Sequence, residues 1–189
     1  MIRSRAVAYD LCRPVDLYNL WFARAIALRT APTILCAVPM ALFAMFVLPM
    51  IGLGEWRLAP PASAASAGAF VVALFCALLL GCAITTLINI SLLWTIAGEG
   101  VAVTVAATVS FLSGMIIPLP LFPKWCFAII QWLPFAGLVD LPFRIYTTNI
   151  PTDQIFLVIA RQLVWTAILV LLVRWLLARG MRRIVIQGG

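Results

Sequence analysis

Histidine is missing from this 189-residue chain, lysine occurs once, at Lys124, and only six carboxylates are present. Those six, Asp10, Asp16, Glu55, Glu99, Asp140 and Asp153, are scattered along the whole sequence. Chemistry on a substrate needs clustered carboxylates, a histidine, or a nucleophile beside a base. The pattern therefore points away from an enzyme and offers no catalytic residue. A GxxxxGKS/T phosphate loop is also missing, so any ATP chemistry must come from another chain. Cys12, Cys36, Cys76, Cys82 and Cys126 are odd in number and show no metal-ligand spacing. They read as packing residues, and no metal site is expected. Residues 1–30 lack the compact basic start, apolar block and small-residue cleavage site of a signal peptide.

What the chain has in excess is apolar surface. It is 65% hydrophobic and 10% charged, against roughly 45–50% and about 25% in ordinary soluble domains. That balance predicts an all-α integral membrane protein. The net charge of +7 would suit nucleic acid, but the arginines sit beside apolar runs instead of forming a soluble basic face. A membrane span needs about 20 apolar residues. Four transmembrane helices are predicted, over about 31–53, 68–94, 101–117 and 155–178, the third of them short.

Arginine placement orients these spans. Arg3, Arg5, Arg13, Arg24 and Arg29 precede the first, and Arg174, Arg179, Arg182 and Arg183 close the fourth. The loops 54–66 and 118–154 carry only Arg57, Lys124 and Arg144. The positive-inside bias then predicts that both termini are cytoplasmic. Arg161 falls within the fourth span, where a charge is costly. Two readings stand for it, snorkelling to the outer interface or lining a pathway through the bundle.

Residues 1–30 are too polar to span. Leu17, Leu20, Trp21, Ala25 and Leu28 share one helical face, which predicts an N-terminal amphipathic helix lying in the membrane interface. In the third span Ala102, Ala106, Ser110 and Gly114 recur every four residues, a small-residue stripe that lets another helix approach closely. The next stretch, SFLSGMIIPLPLFPKW, carries Pro118, Pro120 and Pro123 before Trp125. Three prolines at that spacing cannot lie in continuous helix. Residues 118–150 are too broken to cross and read as an outer re-entrant helical hairpin with tryptophans at headgroup depth. Residues 179–189 form a basic tail.

The stretch SFLSGMIIPLPLFPKW followed by QWLPFAGLVDLPFRIYTTNI resembles the late region of type-2 ABC exporter permeases. The match is to the bacterial ABC-2 family transporter proteins related to drug exporters. The opening VAYDLCRPVDLYNLWFARAIA resembles the cytoplasmic loop before that subfamily's third span, and VRWLLARGMRRIVIQGG its basic tail. Permeases of the family have six spans, so the chain looks like one lacking the first two. The resemblance implies a bacterial inner-membrane permease, spanning 31–178 and moving a substrate outward by alternating access. It implies a separate nucleotide-binding subunit that holds ATP and Mg, docked on segment 1–30 near Asp10, Arg13 and Asp16. It also implies a second permease copy, identical or not, and an outer gate at Pro118, Pro120, Pro123 and Trp125. A non-transporting assembly subunit or channel is the alternative, for which Thr85, Thr86 and Asn89 give weak support.

Overall fold

The computed structural model describes residues 16–56, 58–61, 63–91 and 98–181. All regular structure among them is helical. Helix α1 spans Leu17–Leu42, and Asp16 caps it: its Oδ1 accepts the N–H groups of Tyr18 at 2.9 Å and Asn19 at 3.4 Å. An Asp at this position stabilises a helix by about 1 kcal/mol. The helix does not break near residue 30. It runs on through Pro32 and Pro39, through a π-helical turn at Phe43–Val47, into a last turn at Leu48–Met50. The amphipathic segment expected to lie in the interface therefore shares one axis with the first span. The physical reason is that no glycine interrupts residues 17–42, and each proline removes only one donor from an otherwise strong helix. Gly52, with φ +84°, terminates the run.

Helix α2, Ala64–Ser91, is the centre of the bundle, with Ala73, Cys76, Leu80, Cys82, Ala83 and Ile90 buried along it. Helix α3 covers Gly98–Leu112, α4 Lys124–Ile130, α5 Asp140–Tyr146 and α6 Thr152–Met181. Three layers of contacts set the packing. Ala73 lies with Val158, Ile84 with Leu169, and Ile90 with Val173 and Leu177. Both numbers rise together, so α2 and α6 run parallel. Tyr18 joins the layer of Ile90 and Leu177, so α1 runs antiparallel to both. Asn19 and Arg174 meet at 3.0 Å, which places the start of α1 and the end of α6 at one end of the bundle.

Three helical runs, Leu17–Met50, Ala64–Ser91 and Thr152–Arg179, are long and apolar enough to cross a membrane. Helix α3 is not. Its 15 residues make roughly 22 Å at 1.5 Å per residue, against about 30 Å of hydrocarbon. It also stops at Leu112 instead of reaching residue 117. The chain nevertheless returns from the end of α2 to the start of α6, and residues 98–151 cover that distance as a composite of α3, α4 and α5.

Candidate functional site

The composite is built around one corner. Gly114 has φ +83° and ends α3 in a left-handed cap. A Cβ there would lie 3.1 Å from the Cβ of Asp140 and 3.4 Å from the Cγ of Leu119, so backbone conformation and space both require glycine. Asp140 holds the corner from the other side. Its N–H donates to the Ser113 carbonyl at 3.2 Å, its carboxylate accepts the Leu119 N–H, and Arg144 Nη1 stands 3.6 Å from Oδ2. Three prolines open helical turns here, while Pro120 and Pro142 lie within the first turn of theirs. Pro118 precedes Leu119–Leu121, Pro123 precedes α4, and Pro134 begins the turn Pro134–Gly137. At such positions the missing N–H has no helical partner to lose.

From α4 the chain descends into an irregular loop, residues 131–139, held against the bundle by side chains. Gln162, fully buried, donates through Nε2 to the Gly137 carbonyl at 2.7 Å and the Ala73 carbonyl at 3.3 Å. Trp165 Nε1 donates to the Trp132 carbonyl at 2.9 Å. Gln162 lies ten residues beyond Thr152 in α6, roughly 15 Å along the helix. Buried carbonyls left without a donor are costly, and side-chain donors are what makes irregular backbone tolerable away from water. Helix α1 is tied to α2 at the same level. Arg29 Nη2 donates to Thr85 Oγ1 at 2.7 Å. A Cβ on Gly81 would lie 2.6 Å from Arg29 Nη1 and 3.5 Å from Leu138. Gly81 thus leaves the space that the Arg29 guanidinium and the Leu138 side chain occupy beside α2. The other end of the composite is fixed by the Tyr146 hydroxyl, which donates to the Ala59 carbonyl.

A half-length helix, proline-started turns and an irregular loop braced by buried side-chain donors are found in a chain with three membrane-length helices. A family model described as ABC-2 family transporter protein matches residues 2–188. The chain belongs to that family. It is a multi-pass membrane protein and the permease component of an ABC transporter. No curated protein and no solved structure matches it.

In this ABC-2 permease the residues singled out from sequence are dispersed. Asp16 is the exposed cap of α1, while Asp10 and Arg13 lie outside the described residues. Pro118, Pro120 and Pro123 shape the turns around Leu119, and Trp125 projects outward, 71% exposed. Of the small-residue stripe, only Gly114 is brought against another chemical group. Ala106 is exposed, and Ala102 and Ser110 are half-buried, so this face of α3 stays largely open within one chain. Arg161 lies over the Trp132 ring at 5.5 Å. Gln162, Arg29, Gly81 and the Asp140 corner did not stand out in the sequence. The available signal was an amide and a glycine inside two otherwise apolar spans.

Proposed function

We propose that the chain is the permease of an ATP-driven bacterial exporter, with hydrolysis supplied by a separate nucleotide-binding subunit that binds ATP and Mg. The observation that carries this reading is the continuity of α1 from the Asp16 cap to Arg29. A stroke delivered at the start of α1 travels along a rigid helix, and thirteen residues on, roughly 19 Å, Arg29 donates to Thr85 of α2. Leu138 of the loop packs on the same stretch of α2, against Leu80, Ala83 and Ile84, so movement at the docking end is passed to the helix that carries the loop. Differential affinity of the partner's nucleotide states for two positions of α1 is sufficient to drive it.

The same reading has four crossings, α3 and the hairpin 118–150 together forming the third. Both termini face the cytoplasm, in keeping with the arginine bias and with the meeting of Asn19 and Arg174 at one end. The re-entrant hairpin acts as the outer gate, and the open face of α3 receives a second permease copy. The decisive measurement is co-purification with a co-expressed ABC ATPase partner. Arg13→Glu with Asp16→Arg lowers recovery of the ATPase while membrane insertion stays normal; undiminished recovery removes the docking assignment.

A further inference from the structure

A cleft of about 430 Å³ lies between the hairpin and α6, lined among others by Gln131, Trp132, Arg144, Gln154, Leu157 and Arg161. Of its two guanidinium groups, one has a carboxylate partner. Arg144 pairs with buried Asp140 at 3.6 Å. Arg161 has no carboxylate partner and no hydrogen-bond acceptor among the described residues, its one close contact being the Trp132 ring. Guanidinium carries five N–H donors and stays charged, so the cleft holds at least one positive charge without a counter-ion.

Snorkelling does not account for this placement. Arg161 is nine residues into α6, roughly 13 Å of helix from Thr152. It stacks on Trp132, a residue whose carbonyl is bonded by Trp165, a full turn deeper. The side chain is kept beside the loop, not released to the rim. Along the same wall Leu157 and Val164 are exposed apolar residues. Cationic donors, two amides and an aliphatic strip thus occur side by side on a surface that faces lipid.

We propose that this cleft binds an anionic glycerophospholipid, its phosphate on Arg161 and Arg144 and its acyl chain along Leu157 and Val164. The lipid supplies the missing counter-charge and acceptors, and fixes the hairpin against α6. This requires only that the chain is membrane-embedded, not that it exports.

The test uses full-length protein in phosphatidylcholine nanodiscs doped with photoactivatable phosphatidylglycerol or photoactivatable phosphatidylcholine, with labelled peptides mapped by mass spectrometry. The phosphatidylglycerol probe labels 131–144 and 154–164 about fivefold more than the other, the enrichment that one arginine near an anionic lipid confers. Arg161→Gln brings the two probes to the same level, and Arg161→Lys retains most of the difference. Labelling of the bare helix face at 31–43 stays constant in all variants and reports folding. Equal labelling by both probes, or an unchanged preference in Arg161→Gln, overturns the proposal. Protection of Arg161 from an arginine-directed reagent by inorganic phosphate in phosphatidylcholine-only nanodiscs, with no preference for the phosphatidylglycerol probe, overturns the lipid as ligand and leaves a free-anion site.

Discussion

Gly114 and Asp140 show how little a single position in this fold can change. Gly114→Ala must hold φ at +83° while its methyl meets the Asp140 Cβ at 3.1 Å. The left-handed conformation alone costs about 1–2 kcal/mol, and the crowding adds to it, so thermal unfolding in detergent occurs at lower temperature than for the parent. Gln162→Leu leaves the Gly137 and Ala73 carbonyls without their donor. At about 1–3 kcal/mol for a buried unsatisfied group, hydrogen exchange in residues 134–139 quickens. None of these roles was legible from residue type. Asp140 read as one of six scattered carboxylates because its partners, Ser113 and Leu119, are brought to it only by the turns between them.

At the scale of elements, composition and proline spacing fixed more. The apolar runs located α2 and α6 to within a few residues, since long uninterrupted hydrophobicity leaves helix as the only arrangement that satisfies the backbone in lipid. SFLSGMIIPLPLFPKW marked the end of α3 and the start of the turns because proline acts on local geometry alone. Polarity misled at α1. Residues 17–30 look interfacial, but Tyr18 and Ala25 pack on the bundle, Arg29 turns inward to Thr85, and residues 31–43 are exposed throughout. An amphipathic face reports burial on one side without saying whether membrane surface or a neighbouring helix covers it. The continuity of α1 gives a prediction of its own. Replacing Ile26-Ala27-Leu28 by Gly-Pro-Gly, between the Asp16 cap and Arg29, costs about 3 kcal/mol for the proline and about 1 for each glycine, and leaves no strong helix former to bridge the break as the neighbours of Pro32 and Pro39 do. With the ATPase partner reconstituted, the complex still forms, but its ATPase rate no longer responds to the permease. A response equal to that of the parent would mean that α1 is not the transmitting element.

For the molecule as a whole, the uneven covering of its helices sets the argument. Half of the most apolar window of α2 is buried, and none of that of α1; α3 touches the bundle chiefly through Val109 and its Gly114 corner. In lipid an exposed apolar helix carries no hydrophobic penalty, so openness alone does not demand a partner. The stripe on α3 differs from the bare face of α1 in its chemistry. Alanine and serine allow close backbone approach and van der Waals contact with another helix, whereas Leu35, Met40 and Phe43 are side chains that lipid tails accommodate well. A second copy is accordingly expected on α3 and lipid on α1. In a background with Cys12, Cys36 and Cys126 replaced by alanine, leaving the buried Cys76 and Cys82, Ala106→Cys should form a disulfide-linked dimer under mild oxidation in native membranes. Bridging requires Cα atoms within about 7 Å, a separation that only directly apposed stripes reach. Phe156→Cys, 81% exposed on α6, is the matched control and should stay monomeric, since random collision would oxidise both alike. Cross-linking at Phe156 with none at Ala106 would move the interface to α6, and would leave the α3 stripe facing the acyl chains.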